Sequence, residues 1–135
     1  MSAANRESGG GDLFAHVTDR ASVYEVSPRD GLQNEAALIS IDGKRRLIDA
    51  LVDAGLTRIE ITSFVSPKWV PQLADAEELA VAMKPPAGVM FSALVPNARG
   101  LERALATGLG EIAVFLSASE THNKMNVNKD RKSVV

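Results

Sequence analysis

The sequence predicts a parallel α/β fold of the (β/α)8 barrel type, of which the chain holds about the first four β/α units. Three observations carry this reading. Strand-like and helix-like segments alternate strictly with short connections, which implies a parallel sheet with crossover helices. An open doubly wound sheet fits the same alternation, but a nucleotide binder of that kind usually carries a glycine fingerprint after its first strand, and "SPRDGLQ" is not one. Polar residues cluster at the C-terminal ends of the predicted strands, where barrels place functional groups. They are Arg29 and Asp30, Thr62 and Ser63, Asn97, and Ser117 to Glu120.

Residues 22–26 (SVYEV) read as the first strand. Residues 42–54 read as a helix, because Leu47, Ile48, Leu51 and Val52 recur at helical spacing between a Ser40 cap and a Gly55 stop. Residues 58–63 (RIEITS) are the second strand. Residues 73–83 are a helix buried through Leu73, Ala76, Leu79, Ala80 and Met83, and ended by Pro85 and Pro86. Residues 90–95 are the third strand. Residues 98–107 are a helix with Asn97 as cap and Gly108 as stop. Residues 111–117 (EIAVFLS) are the fourth strand.

Composition bounds the function. The 135 residues are 45% hydrophobic and 24% charged, which is globular and not disordered. A formal net charge of −2 gives no general attraction to nucleic acid or anionic membrane, and neither is expected as a partner. No apolar run approaches membrane-spanning length. The absence of cysteine excludes disulfides, a thiol nucleophile and cysteine metal sites within the chain. Residues 1–20 read as a mobile leader hinged at Gly9-Gly10-Gly11. They lack a signal core, and their Glu7, Asp12 and Asp19 are unlike a transit peptide, so a cytoplasmic protein is expected.

Directly after the first strand comes "SPRDGLQNE". Asp-Gly is ordinary turn chemistry, but Arg29, Asp30, Gln33, Asn34 and Glu35 together ask for a ligand. Side chains alternate across a strand, so Ile59 and Ile61 share the helix-facing side while Glu60 and Thr62 point to the interior. By the same parity Tyr24 and Val26 face outward and Glu25 inward. An inward carboxylate needs a cation or a donor, and Arg29 or a metal could serve. Taken alone, the Arg29–Asp30 pair also fits a turn salt bridge, and Glu60 fits a structural partner for Arg29 as well as a site residue. Blander readings are preferred elsewhere. Trp69-Val70-Pro71 reads as loop packing, His122 as a solvated loop residue, and Asn123, Asn126 and Asn128 as turn formers. Lys44, Arg45 and Arg46 read as a solvated helix face, and Ser119 and Glu120 as strand-end residues that could face substrate.

"SPRDGLQNE" (27–35) and "EITSFVSPKWVPQLAD" (60–75) resemble the two signatures of the 3-hydroxy-3-methylglutaryl-CoA lyase family. That family belongs to a metal-dependent superfamily of lyases and Claisen-condensing synthases on (β/α)8 barrels. "RDG" is shared across the superfamily, whereas "SFVSPKWVPQ" is specific to the lyase branch. "LVPNARGLERALATGLGEIAVFLSASETHNKMNVN" (94–128) also matches in register. The resemblance makes residues 21–135 the N-terminal half of such a barrel. The family's His-x-His metal ligands, metal-binding asparagine, glycine-rich catalytic-cysteine loop and most acyl-CoA contacts lie downstream of the matched stretch. "NKDRKSVV" departs from the family after Asn128 and reads as a truncation or a shifted reading frame.

The resemblance implies cleavage of a 3-hydroxy-3-methylglutaryl thioester to acetyl-CoA and acetoacetate, with Mg2+ or Mn2+ as cofactor and an acyl-CoA thioester as substrate. It implies Asp30 as a metal ligand, Arg29 as the cation that stabilises developing negative charge, and Gln33 and Glu60 as neighbours that orient substrate, metal or Arg29. The chain alone is expected to be inactive, because one carboxylate does not make a tight hard-metal site. A Claisen-condensing synthase of the same superfamily is the alternative enzyme. A non-catalytic half-barrel is the alternative from another class, forming a homo-oligomer or pairing with a missing C-terminal half through its open sheet edges.

Overall fold

In the computed structural model, residues 21–127 are described. The expected leader at 1–20, the turn role of Asn128 and the 129–135 end lie outside the described residues. Helix α1 (Ile41–Asp53) begins at Ser40, whose hydroxyl accepts the Gly43 N–H at 3.2 Å. A side-chain cap of this kind satisfies one of the orphan donors of a first turn. The chain leaves α1 through Gly55 at φ +92° and leaves α3 through Gly108 at φ +73°, left-handed conformations that favour glycine. Helix α2 (Ala76–Ala82) starts three residues later than expected, because Pro71–Leu73 form a separate 3-10 turn. Helix α3 (Ala98–Leu105) is capped by Asn97, whose Oδ1 accepts the Gly100 N–H at 2.9 Å.

Strands β1 (Arg58–Ser63), β2 (Met90–Leu94) and β3 (Glu111–Ala113) form one parallel sheet in that order. Ile59, Ile61 and Phe91 pack against Ile48 of α1, Leu79 of α2 and Met83. A second cluster joins Phe64, Ala93 and Val95 to Ala76, Ala80 and Ala104. The residues expected to bury the second helix, Leu73, Ala76, Leu79, Ala80 and Met83, are all buried. Each large apolar side chain so buried contributes about 1.5–3 kcal/mol. Among the described residues no helix is long and apolar enough to cross a membrane.

Further expectations change. Residues 22–26 do not form a strand. Only Glu25 bridges to Ile59, its N–H donating to Arg58 O at 2.9 Å and its carbonyl accepting Glu60 N–H at 2.8 Å. The ladder stops because Pro28 turns the chain and the Val26 carbonyl accepts the N–H groups of Arg29 and Asp30 instead. The fourth predicted strand covers 111–113 rather than 111–117. Past Ala113, whose carbonyl accepts Val95 N–H at 2.8 Å, Val114, Phe115 and Leu116 are exposed. The asparagine-rich stretch is not a loop but helix α4 (Glu120–Val127), which carries His122 and Asn123. Asn123 is buried and brackets Ser117, accepting its N–H and donating to its carbonyl, both at 3.0 Å. Finally, Trp69 does not pack in its loop. It is 83% exposed.

Candidate active site

The residues that follow the Glu25 bridge wind into a π-helical turn, Ser27–Gly31, a local form often found at functional sites. Pro28 is buried at its start. The turn carries Arg29 back over the sheet, and Arg29 Nε donates to Glu60 Oε1 at 2.5 Å. Glu60 is almost fully buried, and Arg29 is 15% exposed in its side chain. A buried carboxylate is costly without a cation, and this one has it. Arg29 Nη1 donates to Asp30 Oδ1 at 2.7 Å, and Gln33 Nε2 reaches the same oxygen at 3.3 Å. Asn34 Nδ2 donates to the Asp30 carbonyl at 2.8 Å. The four residues singled out from the sequence, Arg29, Asp30, Gln33 and Glu60, are thus brought together in one cluster.

Two members were not foreseen. Tyr24 donates its hydroxyl proton to Glu60 Oε2 at 2.9 Å and lies 2.6 Å from Ser92 Oγ. Glu60 and Ser92 are register partners across β1 and β2, so they share a face. Tyr24 therefore looks to the same side as Glu60, the reverse of the expected parity. Glu25 is the residue paired with Ile59, and its carboxylate accepts Ser27 N–H at 2.7 Å. That backbone donor holds the Glu25 carboxyl below the usual range. Burial raises the Tyr24 phenol above its ordinary value, the Ser92 hydrogen bond offsets part of this, and the Glu60 carboxylate adds to it. Ser92 had a legible signal, a polar residue between Phe91 and Ala93 on a predicted strand. Thr62 departs from the other side. A bulge between Glu60 and Thr62 resets the alternation, and Thr62 opposes Ala93 of the helix-covered core. Among the described residues its buried Oγ1 has no hydrogen-bond partner.

Other charges serve packing. Lys44 is buried, not solvated. Its Nζ donates to Asp75 Oδ1 at 2.6 Å and to the Gln72 carbonyl at 2.5 Å, tying α1 to the start of α2. Arg103 of α3 grips both carboxylate oxygens of Glu77 on α2 and donates to the Val65 carbonyl. This holds the Glu77 carboxyl below its usual range. A cavity of about 590 Å3 lies beside this clamp, lined by Ser66, Lys68, Asn97 and Arg99 among others, and none of Arg29, Asp30 and Glu60 lines it. Ser119 accepts His122 N–H on its hydroxyl at 3.2 Å and so caps α4.

Among the described residues no group of three His, Cys, Asp or Glu is placed to hold a metal ion. A hard divalent cation prefers about six oxygen ligands. The cluster offers it one half-exposed carboxylate, Asp30, whose Oδ1 is engaged and whose Oδ2 takes part in none of the described hydrogen bonds. The fit is that of one ligand, not of a complete donor set.

A family model described as HMGL-like matches residues 20–135. Hydroxymethylglutaryl-CoA lyase YngG of Bacillus subtilis is 53% identical over 110 residues, which is 82% of this chain and 37% of that protein. The crystal structure of the Bacillus subtilis HMG-CoA lyase superposes with a TM-score of 0.81 at 50% identity, over 87% of this chain and 39% of that one. An HMG-CoA lyase from Acinetobacter baumannii, solved in complex with coenzyme A and 3-methylmalate, superposes with a TM-score of 0.79 at 41% identity, over 84% and 37%. The chain therefore spans little more than a third of the length of the relatives it matches. Its parallel sheet and helices are part of a (β/α)8 barrel, as the alternation of elements predicted.

Proposed function

The chain belongs to the HMGL-like family, and on that premise we propose that it is a segment of a lyase that cleaves 3-hydroxy-3-methylglutaryl-CoA to acetyl-CoA and acetoacetate. The observation that carries this reading is the Arg29 guanidinium, fixed on buried Glu60 and set beside half-exposed Asp30. In such a cleavage a base takes the proton of the tertiary hydroxyl, the carbon–carbon bond breaks to leave acetoacetate, the bonding pair passes to the thioester carbonyl as an acetyl-CoA enolate, and a proton delivered to the enolate carbon completes acetyl-CoA. Negative charge on oxygen is the difficulty. A guanidinium already oriented by two carboxylates meets that charge without reorganisation. Arg29 has two of its five donors engaged, and Nη2 donates to none of the described acceptors. We assign Asp30 as one ligand of a divalent cation, Mg2+ or Mn2+, which when bound supplies polarisation of substrate oxygens. Gln33 orients the Asp30 carboxylate, and Glu60 orients Arg29. The remaining ligands would come from outside residues 21–127, the same part of the barrel that would complete the acyl-CoA site. Binding of coenzyme A by the Acinetobacter relative supports the substrate class.

The direct experiment joins residues 21–127 to the part of the Bacillus subtilis relative that follows the matched region, and assays thioester cleavage with Mg2+. The chimera is expected to turn over and the 135-residue chain alone to be inactive. Arg29→Gln in the chimera is expected to lower turnover by about a hundredfold to a thousandfold. A folded chimera whose turnover is indifferent to Arg29→Gln would contradict the assignment.

A second reading rests on a separate observation. The outer edge of β3 has no strand partner among the described residues, and Val114, Phe115 and Leu116 beside it are 73%, 41% and 48% exposed. Open edges are templates for pairing. The chain by itself is expected to associate, with a complementing half-barrel or with a second copy. A sharp monomer peak in size exclusion would contradict this.

A further inference from the structure

We infer that Tyr24 is a positioning residue: its hydroxyl, bridging Ser92 and Glu60, locks the Glu60 carboxylate in the one orientation that presents Arg29 to the site. The inference deepens the lyase reading and rests on it for its catalytic meaning, although the geometry stands without it. Tyr24 has one hydroxyl proton, and the acceptor-only carboxylate of Glu60 at 2.9 Å claims it. The 2.6 Å contact between Tyr24 and Ser92 must then use the Ser92 proton, so Ser92 donates to Tyr24 Oη. The weaker 3.4 Å geometry from Ser92 Oγ to the Ile59 carbonyl does not compete. The result is a one-way chain of donors. Ser92 gives to Tyr24, Tyr24 gives to Glu60 Oε2, and Arg29 Nε gives to Glu60 Oε1. Each carboxylate oxygen is occupied from a different side, so Glu60 cannot rotate without breaking a bond at both.

The tyrosine is itself held. The Arg58 guanidinium lies 5.4 Å from its ring centroid, and Arg58 is fixed in turn by Glu111 of β3 at 2.9 and 3.1 Å. The charges facing Tyr24 are therefore Glu60 and Arg58 from β1 and Glu111 from β3, with Arg29 one step beyond Glu60. Asp30 bonds Arg29, but none of the described hydrogen bonds joins Asp30 or Gln33 to Glu60, Tyr24 or Ser92, and the members come from three separate segments of the sequence. Tyr24 touches no group assigned to substrate or metal. It acts through Glu60.

Tyr24 is the only tyrosine in the chain, so phenolate absorbance reports it alone. In the full 135-residue chain, monitored by circular dichroism to stay within the folded pH range, the phenol titration midpoint is expected to lie above that of free tyrosine. Glu60→Gln is expected to lower it, because the anion that favours the neutral donor is gone. Ser92→Ala is expected to raise it, because the donor that favours phenolate is gone. A midpoint unmoved by Glu60→Gln overturns the inference. The second readout is hydrogen exchange at the Arg29 Nε–H by nuclear magnetic resonance. Tyr24→Phe is expected to speed it about tenfold, the loss of roughly one hydrogen bond to a charged group, with the backbone amides of β1 and β2 unchanged. Exchange unchanged at Arg29, or accelerated equally along β1 and β2, overturns it, the latter because it marks a purely structural role. Ser92→Ala serves in the same assay should Tyr24→Phe fail to fold, with a smaller acceleration expected and the same two outcomes overturning. None of these readouts uses turnover, so failure of the lyase reading would leave them standing and failure here would leave the lyase reading untouched.

Discussion

On the helix-covered side of the sheet, Ile59, Ile61 and Phe91 pack against Ile48, Leu79 and Met83, whereas on the opposite side Glu60 and Ser92 are tied to Tyr24 and Arg29 by hydrogen bonds. The two sides are built from alternate residues of the same strands. The apolar side gains free energy from area removed from water, without regard to direction. The polar side gains little net, since each hydrogen bond replaces one with water, and it fails sharply if a buried partner is left unpaired. A buried ion pair is weak evidence for stability, and under the proposed reading Glu60 and Arg29 on that side serve orientation. The difference separates what makes the fold from what makes the site, and the expected effects of substitution follow it.

The largest loss belongs to the apolar side. Leu79→Ala removes a fully buried side chain of α2 and is expected to destabilise the chain by about 2–5 kcal/mol in denaturant unfolding. A loss near zero would mean that the helix does not pack as described. Next comes Lys44, a buried cation used for packing. Asp75→Ala leaves Lys44 with only the Gln72 carbonyl and is expected to cost about 2 kcal/mol, less than breaking a wholly buried pair because that acceptor remains. The smallest effect lies in the acid limb. Arg103 depresses the Glu77 carboxyl below its ordinary value, so the clamp contributes fully above that value. The contribution is lost as pH falls through the lowered, folded-state value. Because Glu77 is half exposed, the effect is screened. Glu77→Gln is expected to flatten the acid limb of the stability profile slightly, and an unchanged limb would remove the clamp from the comparison.

The sequence made the apolar side legible because burial leaves a period. Ile59 and Ile61 with Glu60 between them gave the parity of β1, and Ser40, Asn97, Gly55 and Gly108 marked helix ends through local chemistry that needs no tertiary partner. The cluster of Arg29, Asp30, Gln33 and Glu60 was legible through its density and motif. What was not legible depended on distant partners. Lys44 reads as solvated because Asp75, 31 positions away, is what buries it. Tyr24 reads as outward because an aromatic residue looks like core, and only its contacts with Glu60 and Ser92 reverse the parity. The 22–26 segment has strand composition but one bridge, since the turn at Pro28 takes the Val26 carbonyl out of the ladder. Helix α4 carries no apolar stripe, and its asparagines suggested turns until the bracket between Asn123 and Ser117 was visible.

The measurement that bears most directly on this account is Glu60→Gln in the completed barrel, with unfolding midpoint and thioester turnover read on the same sample. The substitution keeps the shape and removes the charge that orients Arg29. The account predicts turnover per folded molecule lower by about a hundredfold, with a fall in the midpoint limited by the Asp30 partner that Arg29 keeps. A midpoint that falls steeply while turnover per folded molecule stays the same would make Glu60 a residue of the fold, and would contradict the separation of the two sides.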